Sequence, residues 1–228
     1  VVSFVAVAIG GFIEIVPTLT IKDNVPTIAA VKPYSPLELE GRDLYIREGC
    51  NNCHSQMIRP FRSEVKRYGE YSKSGEYVYD HPFLWGSKRT GPDLMRIGGK
   101  YNDNWHFNHM WSPQRMDEKS VMPAYKWLFD NKAMDISDIE KKMSVMVTLG
   151  VPYTDADIAN AKKSIETQSA QIEKNLHNDP DFVKSYEDSK KKAAAKGETF
   201  VPMKDREIVA LIAYLQRMGT DIKVKKAE

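Results

Sequence analysis

The chain opens on an apolar run: from Val1 to Ile21 there is no Lys or Arg, and the one ionisable residue is Glu14. Such a run reaches the ~20 apolar residues that a membrane-spanning helix needs. Neither the basic opening nor the small-residue cleavage site of a signal peptide is visible. The expectation is a transmembrane helix over residues 1–21 whose first residues are missing, since the chain does not begin with Met. Glu14 and Pro17 then meet a protein partner or the interface rather than lipid. Pro26, Pro33 and Pro36 forbid a continuous helix across 22–36, which reads as a linker. Ser35 followed by Glu38, with Pro36 at the first helical position, marks a helix start. That helix runs from Leu37 to about Glu48 and ends near Gly49. At the other end of the chain a helix starts at Asp205, carries Ile208, Leu211, Ile212 and Leu215 on its apolar face, and stops at Gly219. Residues 37–220 read as one domain, and 221–228 as a frayed charged tail.

Two stretches between these helices differ in character. Between Tyr68 and Trp127 lie 12 of the 23 aromatic residues, including all four Trp. Gly and Pro punctuate this stretch, so it reads as loops and short helices wrapped around something. Residues 154–199 hold 8 Lys and 9 Asp or Glu and almost no aromatics. There Thr154 and Asp157 form a cap, Ile158, Ile165 and Ile172 recur every seven residues, and Asn178-Asp179-Pro180 breaks the run before a second helix from Phe182 to Lys196. The expectation is an inserted, solvated helical hairpin that packs on itself, serves as a spacer or docking arm, and is dispensable for the chemistry of the domain.

The net charge of +2 gives no field that points to nucleic acid. Two cysteines exclude a disulfide framework, and their placement is more informative than their number. Cys50 and Cys53 are followed directly by His54, and Cys-x-x-Cys-His is the c-type haem attachment signature. Both thiols add across the haem vinyl groups, and the adjacent imidazole faces the iron. A thioredoxin-like dithiol wants a βαβ context, and a zinc site wants further ligands at paired spacing. One covalently bound haem c is therefore expected, with His54 as the first axial ligand. For the second, Met122 is favoured, because Pro123 holds its loop extended and presents the thioether. His106 and His109 are its rivals. The carbonyl in the turn Gly91-Pro92 suits the ring N–H of His54 and would fix its tautomer. Arg59, Arg62 and Arg89 are candidates for pairing the haem propionates, because a guanidinium binds carboxylates in bidentate fashion.

The order Gly41-x-x-x-Tyr45, Cys50 to His54, Gly91-Pro92-x-Leu94, Met122-Pro123 and Ile208 to Leu215 resembles a class I cytochrome c. That fold implies crossed N- and C-terminal helices, with Gly41 letting Tyr45 and Tyr214 approach near the haem. Longer stretches are similar to one family: Tyr34 to Asp43, His54 to Arg62, Tyr79 to Phe83 and Trp85 to Leu94 resemble the mono-haem subunit II of cbb3-type haem–copper cytochrome c oxidases. The resemblance covers about 1–153 and 205–220 and departs at 154–199. It implies an all-α chain, namely a transmembrane helix followed by the cytochrome domain with its inserted hairpin. It also implies partners: a di- or tri-haem cytochrome c subunit that donates electrons, membrane lipid, and a catalytic subunit I whose haem b and copper centres reduce oxygen and pump protons. The chain itself would contribute no catalytic residue. It would sit in the bacterial inner membrane as a single-pass protein with its haem domain on the periplasmic side; Lys22 and Asp23 after the apolar run carry no net positive charge to oppose that orientation. A free-standing, membrane-anchored electron carrier is the alternative, and a haem enzyme or gas sensor would need an open sixth position.

Overall fold

The structure, a computed structural model, describes residues 1–21, 26–86 and 88–223, apart from the side chain of Leu19. Lys22, Asp23 and the tail beyond Lys223 lie outside the described residues. Among the described residues there is no strand, and ten α-helices carry the fold, joined by 3₁₀ turns. Helix α1 spans Val2–Thr20, and α2 spans Pro36–Arg47. The single turn α3 is Cys50–Cys53, and α4 is Arg62–Tyr68. Helix α5 spans Asp103–Trp111, α6 Ile139–Thr148 and α7 Asp155–Ala159. The last three are α8, Ala161–Leu176, α9, Pro180–Lys196, and α10, Glu207–Arg217.

The caps form where the sequence places them. The Ser35 hydroxyl accepts from the Glu38 N–H (3.2 Å) while the Glu38 carboxylate accepts from the Ser35 N–H (2.8 Å). Thr154 and Asp157 repeat the same reciprocal pair at the start of α7. The core is the crossing of α2 and α10, and every residue from Ile208 to Leu215 is buried. Gly41 makes that crossing possible: a Cβ there would lie 1.9 Å from the Ala210 carbonyl oxygen and 2.8 Å from the Tyr214 Cβ. Tyr45 and Tyr214 then meet edge to face, with ring centroids 5.4 Å apart. Gly41→Ala should therefore force the two helices apart and cost upwards of the ~1–3 kcal/mol typical of overpacking. A denaturation midpoint matching that of the unsubstituted chain would refute this account of the crossing.

Two expectations are corrected. The first is the transmembrane helix over 1–21. Among the described residues, no helix is long and apolar enough to cross a membrane. Helix α1 runs over Val2–Thr20. It also carries Glu14 and an internal Pro17, and Gly10, Gly11, Thr18 and Thr20 dilute its apolar surface further. The second is the hairpin that packs on itself. Helix α8 lies against α2, α5 and α10, and its heptad residues Ile165 and Ile172, with Leu176, are buried in the main core. The stripe that suggested a partner helix within the insertion instead caps the α2–α10 crossing. Polar ties reinforce the seat: the Ser35 hydroxyl donates to the Gln168 amide oxygen (2.6 Å), and the Asn175 amide donates to the buried Asp103 carboxylate (2.7 Å).

The chain before α2 is held to the end of α10. The Lys32 N–H donates to Asp221 (2.9 Å), and the Arg217 guanidinium donates to the Lys32 carbonyl (2.8 Å) and to Asp221 (2.5 Å).

Candidate haem site

Gly49 adopts a left-handed conformation (φ 70°, ψ 25°) that ends α2 and turns the chain directly into α3. The Cys50–Cys53 spacing is thus one helical turn, closed by the His54 N–H donating to the Cys50 carbonyl (2.9 Å). Cys50 is buried and Cys53 exposed, and both are free thiols. Burial, aided by the Glu48 charge, pushes the Cys50 thiol up to about 12.

His54 leaves the turn with extended backbone, and its ring Nδ1 lies 2.8 Å from the Pro92 carbonyl oxygen. A carbonyl only accepts, so Nδ1 carries the proton and Nε2 keeps its lone pair for a metal. Gly91 makes room for the ring: a Cβ there would lie 2.2 Å from Cε1 of His54 and 2.9 Å from Nε2. Gly86 (φ +75°) backs the same residue, where a Cβ would meet the His54 carbonyl oxygen at 3.1 Å. Burial lowers the His54 imidazole below its usual range, against opposing contributions from Pro92 and Asp93. A neutral imidazole with Nε2 unprotonated is the form that ligates iron, so these residues fit a c-type haem.

The segments 53–57 and 91–95 are clasped together. The Gly91 N–H donates to the Cys53 carbonyl and the Leu94 N–H to the Ser55 carbonyl, both at 2.9 Å. Between them Asp93 accepts from the Ser55 hydroxyl (2.6 Å) and from the N–H groups of Met57 and Met95 (both 2.9 Å). Sequence reasoning missed Ser55 and Asp93. The available signal was that each directly follows an expected site residue, His54 and Pro92.

The remaining expected residues are distributed as follows. Tyr45 is buried in the α2–α10 crossing. Met122 is half-buried and packs against the main core, and the Gln114 amide donates to its carbonyl (3.0 Å) and to that of Ser120 (3.1 Å). Three residues on, Tyr125 lies within electrostatic reach of Cys50 and Cys53, and burial pushes its hydroxyl up to about 12. The Trp127 indole donates to Glu48 (3.0 Å), at the C-terminal end of α2. The loop that carries Met122 therefore returns to the attachment turn.

The rival histidines lie on α5. His109 stacks on Trp105 (4.6 Å), which stacks on Tyr101 (3.9 Å). Its pKa is lowered by burial and then by the charge of His54, so the two histidines are electrostatic neighbours. His106 is buried and pushed down to about 4 by desolvation. His106 Nε2 and His109 Nδ1 are buried with no hydrogen-bond partner among the described residues.

The three arginines divide. Arg59 and Arg89 both pair with Glu64, Arg89 at 2.8 Å, whereas Arg62 is exposed and makes no ion pair among the described residues. Two cations hold the Glu64 carboxyl down to about 2, chiefly through the Arg89 hydrogen bond.

Residues 1–222 match the family described as cytochrome c oxidase, mono-heme subunit/FixO. None of the curated proteins compared with the chain matches it. A match of that extent spans α1 through α10, including α8 and α9, and the haem count in the family's description agrees with a single attachment turn at Cys50 to His54. The chain belongs to the mono-haem subunit family of cytochrome c oxidase, the second subunit of the cbb3-type enzymes.

Proposed function

We propose that the chain binds its one haem covalently through Cys50 and Cys53, with His54 and Met122 as axial ligands. In this reading it relays electrons from a di- or tri-haem cytochrome c subunit to the catalytic haem–copper subunit. The observation that carries it is the His54 ring, oriented by Pro92 and buttressed by Gly91, with Nε2 left as the ligating nitrogen. The haem, when bound, supplies a reversible one-electron store whose potential a thioether ligand raises relative to bis-imidazole ligation.

The protein's part is to hold and orient. One helical turn sets the thiol spacing, the clasp between 53–57 and 91–95 keeps the imidazole in one tautomer, and the Gln114 bonds fix the backbone around Met122. In this reading oxygen reduction belongs to the partner subunit, and this chain passes the electron on. The haem domain lies on the periplasmic face of the membrane that houses the oxidase, because haem is attached to free thiols on the oxidising side.

The test is made on the purified oxidase complex. Haem should remain with this subunit after denaturing electrophoresis. Met122→Ala should lower the reduction potential and admit carbon monoxide to the iron, and His109→Ala should do neither. Haem released by denaturation would refute covalent attachment. A potential that moves with His109→Ala but not with Met122→Ala would refute the ligand set.

A further inference from the structure

We infer that Asp93 and Arg89 form an electrostatic latch that sets the reduction potential of this site from the His54 side. The inference rests on the haem reading above and adds residues that touch neither the thiols nor the axial positions.

The Asp93 side chain has no exposed surface. A buried carboxylate is costly unless it is paired and hydrogen-bonded. Here three donors converge on it: the Ser55 hydroxyl and the amides of Met57 and Met95. Among the described residues, the guanidinium within reach is that of Arg89, 3.5 Å from the same oxygen that Ser55 and Met57 use. Arg89 is itself held from four sides. Its Nε donates to the Ser55 hydroxyl oxygen (2.6 Å), and its Nη2 donates to the Met57 carbonyl (2.8 Å) and to Glu64 (2.8 Å). Its plane lies over the Tyr68 ring at 5.1 Å. Glu64 is held in turn by Arg59.

The placement gives the latch its effect. Asp93 directly follows Pro92, whose carbonyl accepts from the His54 Nδ1–H, and Ser55 directly follows His54. A negative charge beside a ligating imidazole strengthens it as a donor and favours the more positive, oxidised metal. Asp93 therefore pulls the potential down and Arg89 moderates that pull. An arginine free to reach a propionate would act from the haem edge; this one is committed to the clasp instead.

The two charges predict shifts of opposite sign in a redox titration of the c-type haem in the purified complex. Asp93→Asn should raise the potential and Arg89→Gln should lower it. Each should change the ratio of reduced to oxidised haem at fixed potential by about tenfold, which is ~59 mV for a one-electron couple. Arg89→Lys, which keeps the charge, should stay close to the unsubstituted potential. Unchanged potentials in all three, with haem still covalently bound, would overturn the latch and leave the haem reading standing. So would an Arg89→Lys shift as large as that of Arg89→Gln. Absence of covalent haem from the unsubstituted subunit would overturn both. If Asp93→Asn does not assemble, the Arg89 pair carries the test, since Arg89 is 22% exposed, Arg59 still pairs with Glu64, and Asp93 keeps its three hydrogen-bond donors.

Discussion

Replacing residues 155–198 with a short Gly-Ser bridge is expected to abolish the folded haem domain, not merely trim a surface arm. The segment includes α8, and with it Ile165, Ile172 and Leu176, and it includes Phe182, all buried in the main core. Burying a large apolar side chain is worth about 1.5–3 kcal/mol, so four of them amount to roughly 6–12 kcal/mol. That rivals the ~5–15 kcal/mol by which a whole domain is stable. The deletion would also strip Gln168 from Ser35 and Asn175 from Asp103, removing a hydrogen bond from each. The measurement is the amount of haem-stained subunit recovered with the oxidase, alongside its absorption spectrum. A truncated chain with an intact spectrum and normal recovery would show that α8 is an accessory after all. Ile172→Ala gives a graded version of the same test, with an expected loss of about 2–5 kcal/mol from the cavity it leaves.

Gly91→Ala is expected to damage the site while leaving most of the fold in place. The added methyl would overlap the His54 ring, 2.2 Å from Cε1 and 2.7 Å from Nδ1. Neither side can yield cheaply. The ring is tied to the Pro92 carbonyl, and Gly91 is tied by its N–H to the Cys53 carbonyl. Relief requires breaking one of these bonds, which frees the imidazole to change tautomer or turn from the iron. Loss of the low-spin signature, with the helical content of the protein retained, is the expected result. Gly11→Ala is the control: nothing lies within 4 Å of a Cβ there, and Ala in a helix gains about 0.5–1 kcal/mol over Gly. A Gly91→Ala protein with the unsubstituted spectrum would remove the steric account of His54.

What could be read before the fold was known is what short-range chemistry determines. Cys50, Cys53 and His54 carry their own geometry, because a two-residue spacer lets a single helical turn span the two thiols. The caps at Ser35 and Thr154 are equally local, since each satisfies amides within three residues of itself. The apolar positions of α10 were legible in their spacing and the role of Gly41 through the family resemblance, and the structure supplies the contact, a backbone carbonyl where a methyl would sit. The helix starting at Asp205 in the sequence reading begins with a 3₁₀ turn, Met203–Asp205, before α10 proper.

Tertiary structure decided most of the rest, chiefly because the deciding partner is remote in sequence. A seven-residue spacing of isoleucines says that one face of α8 is apolar, but not that α2 and α10 rather than α9 cover it. An arginine's sequence neighbourhood does not say which carboxylate it finds; Glu64, 25 residues before Arg89, claims both Arg59 and Arg89. The apolar run at the start shows its composition openly, and its helix carries Glu14 and an internal Pro17. The residues themselves determine the attachment turn, the caps and the apolar face of each helix, since those depend on atoms a few residues apart. Which faces meet, whether Arg89 finds Glu64 and which ring nitrogen of His54 is left for the metal depend on segments far apart in sequence, and only packing brings them together.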